Sequence, residues 1–221
     1  MTGRPITAVG TSGYSFADWV GGFYPPGTAK RDMFAFYCRR FPVAELNFTY
    51  YRMPTARTLQ ALATKSPGGF AFWVKANQET THKGNRAAAA PLLEALSGMI
   101  DAGKLAGVLL QFPQSFHRTP VNRTYLAQTI DDLSSVPLAV EFRHASWRHD
   151  ATFQGLQQRG VTLVIPDVPS IAALFHCEPI LTSSTGYLRM HSRNADKWYA
   201  GAVERYDYHY SEEQLSELAR I

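Results

Sequence analysis

Cysteine is nearly absent: the 221 residues include two, Cys38 and Cys177. They lie far apart and match no metal or redox spacing. A chain of this length buries roughly 70% of its unfolded surface, so cross-links are not needed to hold it. Charge is sparse as well, at 18% of residues against 45% apolar, which excludes a disordered chain. No apolar run approaches the ~18 residues of a membrane span. Met1–Ile6 lacks the apolar core of a signal peptide. Ordinary glycine and proline counts, 16 and 13, exclude collagen-like and low-complexity chains. No HExxH, GxSxG, Walker or GxGxxG signature occurs. These absences predict a cytoplasmic protein with reduced thiols, no membrane partner, no cofactor and no resident metal.

Aromatic residues, by contrast, are plentiful at 13%, and the net charge is +4. Residues 1–100 carry 11 basic and 5 acidic side chains, a balance of +6; residues 101–221 carry 11 and 13, a balance of −2. A basic half is compatible with phosphate-bearing partners. A solvated surface explains so modest an excess equally simply.

Apolar strand-like runs alternate with helical patterns. The strands are expected at Ile6–Gly10, Val43–Asn47, Phe70–Lys75, Gly107–Phe112, Leu138–Arg143, Val161–Pro166 and Tyr187–His191. The spacing leaves room for a helix between each pair. Thr28 can cap a helix with Met33, Phe34, Tyr37 and Phe41 on one face, and Cys38 falls inside it. Thr55 precedes another helix. Pro120 occupies a first helical position. Asp150 opens a short helix that Gly160 ends, and Ser211 and Gln214 have capping-box spacing. The runs AGVLLQF and PLAVEFR are continuously apolar, as strands covered on both faces should be. The expected fold is α/β, a TIM-barrel-like (β/α) barrel in one domain over residues 1–221. Seven strands are predicted where a full barrel has eight, so the domain is expected to be C-terminally incomplete.

Chemistry concentrates where apolar strands end in polar residues. Residues i and i+2 of a strand share a face, which pairs Glu45 with Asn47, Glu141 with Arg143, and Arg189 with His191. Lys75 ends the third strand behind Trp73, Gln111 lies near the end of the fourth, and Asp167 follows the sixth. In a barrel such ends converge on one mouth, where active sites sit. Burying these charges is costly unless they are paired or used. Salt bridges that merely close the barrel top would also satisfy them. Glu45, Glu141, Asp167 and His191 could form an oxygen and nitrogen site, but the neighbouring Lys and Arg already supply positive charge.

Several loops add candidates. Gly10–Tyr14 (GTSGY) permits a tight turn, though without phosphate-loop spacing. His82 lies in a polar basic loop. His144 and Trp147 follow the fifth strand within EFRHASW. Residues 193–210 hold Trp198, Tyr199, Tyr206, Tyr208 and Tyr210, either a lid or a cover for the fold surface.

Taken together, GTSGYSFADWVGGFYPPGTAKRDMFAFYCRRFPVAELNFTYYRMP, FAFWVKANQETTH, LLQFPQSF, AVEFRHASW and YLRMHSR with the later WYAG resemble, over nearly the whole chain, the family called domain of unknown function 72 (YecE-like). The resemblance implies a TIM-barrel-like fold, similar in outline to the xylose isomerase and endonuclease IV barrels. It also implies that Glu45, Asn47, Lys75, His82, Gln111, Glu141, Arg143, His144, Trp147, Arg189 and His191 occupy the family's motif positions. Family members continue to a last strand bearing a Phe-Asn-Asn motif, whereas this sequence stops at Ile221.

Three functions fit. The first is an enzyme acting on a phosphate-bearing or sugar-like ligand, or a nucleic acid lesion. In it Glu45, Glu141 and His191 are the catalytic candidates, and Asn47, Lys75, His82, Gln111, Arg143, His144, Trp147 and Arg189 the substrate-binding ones. Lys75, Arg143 and Arg189 would hold the anion, while Trp73, Trp147 and Tyr14 would stack a ring. The second is a non-catalytic nucleic-acid-binding module using Arg39, Arg40, Arg52, Arg57, Lys65, Lys83 and Arg86. The third is a degenerate barrel with a structural or partner role.

Overall fold

Hydrogen bonding organises the computed structural model, which describes residues 7–220, into seven parallel strands in sequential order. They are β1 (Gly10–Ser12), β2 (Val43–Leu46), β3 (Ala71–Lys75), β4 (Leu105–Gln111), β5 (Leu138–Glu141), β6 (Thr162–Asp167) and β7 (Tyr187–Met190). The α-helices are α1 (Lys30–Tyr37), α2 (Phe48–Tyr51), α3 (Ala56–Lys65), α4 (Gln78–Thr81), α5 (Ala89–Asp101), α6 (Pro120–Asp132), α7 (Asp150–Gln158), α8 (Ala202–Tyr206) and α9 (Glu212–Leu218). This is the α/β, TIM-barrel-like topology that strand and helix alternation dictates. The chain falls into two units: one comprises residues up to Leu109 with Thr129–Pro137, the other Leu110–Gln128 with residues from Leu138 onward.

In the first unit, Met33, Phe34 and Tyr37 line the buried face of α1. Phe34 packs 5.8 Å from Phe70 and 6.0 Å from Phe72. The Thr55 hydroxyl caps α3 by accepting from Thr58 N–H, and Leu59 and Ala63 of α3 are buried, as are Leu92, Leu96 and Met99 of α5. In the second unit, β5 is buried at every position. Phe142, just beyond it, stacks on Phe112 at 6.4 Å and on Trp147 at 4.4 Å.

Several boundaries differ from the sequence reading. The first strand is Gly10–Ser12, and Ile6 lies outside the described residues. Its register, Gly10 to Val43 and Ser12 to Glu45, brings Gly10 so close to the Val43 carbonyl that a β-carbon would clash. Asn47, Arg143 and His191 fall one or more residues past the ends of their strands. Thr28 does not cap α1; its hydroxyl donates to the Pro25 carbonyl at 2.7 Å, and the helix starts two residues later. Helix α1 also ends before Cys38 and Phe41. Between β6 and β7 there is no helix. Val168 and Leu174 of that segment instead pack with Trp198. No described helix is long and apolar enough to cross a membrane.

Candidate functional site

Strand β5 delivers one carboxylate into the interior of the second unit. Glu141 is completely buried. Its Oε1 forms an ion pair with Nε of Arg143 at 2.7 Å and lies 3.1 Å from Nε2 of His191. Its Oε2 receives Nη1 of Arg189. Arg143 follows two residues after Glu141, and Arg189 and His191 stand two apart at the end of β7. The i and i+2 spacing read from the sequence therefore does bring these four together.

Burial alone would raise the Glu141 pKa. Arg143, Arg189 and His191 outweigh it and hold the carboxyl well below its ordinary range. His191 is pushed down to about 4, first by burial and then by Arg143, against the opposing pull of Glu141. Near neutral pH the ring is therefore uncharged. Its Nε2–H donates to Glu141, which leaves the lone pair on Nδ1. One carboxylate, two guanidiniums and a neutral imidazole give this cluster one formal positive charge. Among the described residues, the two Nη groups of Arg143 make no hydrogen bond. The side chain of Arg143 is 14% exposed, so its outer edge reaches the surface.

The residues after β7 frame the cluster. Buried Ser192 has φ 151°, a strained conformation for an L-residue. The adjacent Arg193 bonds Asp167 through Nε at 2.9 Å and Nη2 at 2.8 Å. The Tyr210 hydroxyl donates to the same carboxylate at 2.7 Å. Between these two anchors, Trp198 lies with its ring 6.0 Å from the Arg143 guanidinium and 5.0 Å from that of Arg205. The Tyr206 ring is 6.4 Å from that of His191.

The remaining candidates are distributed as follows. In the second unit, Gln111 is buried and donates to the Phe112 carbonyl at 2.8 Å. The His144 ring turns to Ser146, whose N–H it accepts at 3.1 Å, and stacks on His117 at 3.8 Å. Burial, then His117, lower its pKa. Trp147 is 2% exposed, stacked between Phe142 and Phe116, with Nε1 donating to the Phe116 carbonyl at 2.6 Å. It serves the core, and the ligand-stacking role expected for it does not fit that burial. In the first unit, Glu45 is buried and accepts from the Ser12 hydroxyl at 2.7 Å, and Asn47 donates to that same hydroxyl. Lys75 Nζ stands 4.6 Å from the centre of the Tyr50 ring, and the His82 ring lies 4.9 Å from that same ring. Tyr14, expected to stack a ligand, is half-buried 4.9 Å from Phe34.

Sequence reasoning missed Tyr50 and the part Trp198 plays beside Arg143. The aromatic run FTYY directly after β2 was a usable signal for the first. Cys38 and Cys177 are both free thiols, and burial pushes each up to about 11. Among the described residues, no three His, Cys, Asp or Glu side chains gather so as to hold a metal ion.

The family model described as "Protein of unknown function DUF72" matches residues 8–221. The UPF0759 protein YunF of Bacillus subtilis (strain 168) is 28% identical over 234 residues, covering 95% of this chain and 80% of that protein. The crystal structure of a DUF72 family protein of Thermotoga maritima superposes with a TM-score of 0.88 at 36% identity, covering 96% of this chain and 85% of that one. A DUF72 family protein of Enterococcus faecalis V583 gives 0.85 at 25% identity, covering 96% and 82%.

Proposed function

The chain belongs to the DUF72 family, and from that premise we propose that it is an enzyme acting on a phosphate-bearing or sugar-like ligand at the Glu141 cluster. The observation that carries this reading is the fully buried Glu141 carboxylate holding two guanidiniums beside an uncharged imidazole. The surplus positive charge and the uncommitted Nη groups of Arg143 suit an anion, since a planar guanidinium binds phosphate or carboxylate in a two-point fork. His191 supplies the proton acceptor at Nδ1. Glu141 is already ionised with both oxygens engaged, so its part is to position Arg143, Arg189 and His191 and to fix the imidazole tautomer.

The test screens inorganic phosphate, ribose 5-phosphate and glucose 6-phosphate by thermal shift, then titrates the best binder by calorimetry. Arg143→Ala should lose about 2 to 5 kcal/mol of affinity, and Arg143→Lys should recover only part of it. Wild-type affinity in both variants would reduce the cluster to a structural ion pair.

A further inference from the structure

The first unit holds an open pocket of about 500 Å³ lined by Tyr14, Phe48, Arg57, Leu62 and Lys65, with Thr58 and Ala61 completing it. Its apolar part is open to solvent. Phe48 is 41% exposed although it opens α2, and Leu62 is only half-buried on α3. Tyr14, also in the lining, is half-buried, and its pKa is raised first by burial and then by Cys38.

The charged part has one sign. Helix α3 contains Arg57 and Lys65 and no acidic residue. The two cations are eight residues apart, about 12 Å along the helix axis. Neither has a hydrogen-bond or ion-pair partner among the described residues. Arg57 stands in the first turn, where the helix dipole disfavours a cation and no acid offsets it. Two aromatic side chains lining a pocket that also carries two unanswered positive charges complement a molecule with an apolar ring and a negative group.

We propose that this pocket binds a small aromatic anion, its ring against Phe48 and Tyr14 and its anionic group on Arg57, with Lys65 at the far rim. The size suits a single ring system bearing a phosphate, phosphonate or carboxylate. This inference does not depend on the Glu141 cluster.

The probe is phenylphosphonate, whose carbon–phosphorus bond resists hydrolysis. Methylphosphonate serves as the anion without a ring and benzyl alcohol as the ring without a charge. Binding is followed by calorimetry and by ligand-observed NMR on the full chain. Phenylphosphonate should bind at least tenfold tighter than either control. Arg57→Ala and Phe48→Ala should each weaken it at least fivefold; both residues are exposed, so neither change threatens folding. Arg143→Ala should leave this binding unchanged. Equal affinity for phenylphosphonate and methylphosphonate, or unaltered affinity in Arg57→Ala and Phe48→Ala, would overturn the proposal. So would loss of binding in Arg143→Ala alone, which would assign the probe to the Glu141 cluster.

Discussion

Nε2 of His191 lies 3.1 Å from Oε1 of Glu141, inside a site where the carboxylate has no solvent exposure. The contact is a hydrogen bond between a neutral ring and an anion, because His191 is held down at about 4. That depression has a signed consequence. Between pH 6.5 and 4 the unfolded chain protonates this histidine while the folded chain does not. Stability is therefore intact above pH 6.5 and declines as pH falls toward 4, by roughly 3 kcal/mol in all from this group. Urea denaturation at pH 7.0, 6.0 and 5.0 should show the slope, and His191→Gln should flatten it. An equally steep slope in His191→Gln would place the acid sensitivity elsewhere.

Glu141 carries a larger stake. Glu141→Gln keeps the shape but leaves two guanidiniums without their shared carboxylate. Removing one partner of a buried ionic cluster costs about 3 to 5 kcal/mol. The denaturation midpoint should fall accordingly at pH 7. Because the folded pKa of Glu141 lies well below 4.5, its own contribution is fully present above the unfolded value near 4.5. It declines as pH falls below 4.5 and is gone once pH lies below the folded value. As pH falls below 4.5 the gap between wild type and Glu141→Gln should therefore narrow. A constant gap down to pH 2 would contradict an ion-pair origin.

How far the sequence could carry this is visible residue by residue. Glu141 with Arg143 and Arg189 with His191 were legible because strand geometry places i and i+2 on one face, and the chain keeps that geometry just past β5 and β7. Asn47 has left the strand, its backbone already helical at φ −100° and ψ −19°, yet its amide still meets the Ser12 hydroxyl that donates to Glu45. His144 and Trp147 read as site residues because they follow a charged strand end. A 3-10 turn over Ala145–Trp147 instead sends the indole into the core and makes the imidazole a cap. The contact between Trp198 and Arg143 spans 55 positions and no local period encodes it. The helix expected between β6 and β7 is absent because Leu174 and Phe175 are tied to the β5 end instead, Phe175 N–H donating to the Arg143 carbonyl at 2.9 Å.

Gly107 offers a check on packing in the first unit. A β-carbon there would approach the Pro137 carbonyl oxygen to 2.7 Å and press into the Trp73 ring. The carbonyl belongs to backbone and cannot swing aside. Gly107→Ala should therefore destabilise by about 1 to 3 kcal/mol through overpacking, visible as a lower denaturation midpoint. The double variant with Trp73→Leu should recover only the part due to the ring. Neutral Gly107→Ala would mean that β4 can shift to make room.

Asp167 joins the two ends of the aromatic segment that the sequence marked out. Arg193 grips its carboxylate with Nε and Nη2, and Tyr210 donates to it from the other side, so residues 194–209 form a loop closed on one side chain. Arg193 also reaches Glu217 at 2.8 Å, which ties α9 to the same point. Burial, followed by the bond to Asp167, raises the Tyr210 pKa, so the phenol remains a donor throughout the neutral range. Tyr210→Phe removes one neutral donor to a charged acceptor and should cost about 1.5 to 3 kcal/mol. Asp167→Asn loses the charge that both partners need and should cost more. The distinguishing readout is local. Hydrogen exchange should quicken across 194–209 in both variants, and Trp198 emission should shift as the indole leaves Arg143 and Arg205. Backbone amides of α3 should exchange at the wild-type rate. Accelerated exchange spread evenly over the second unit would mean that Asp167 supports the unit as a whole rather than closing this loop.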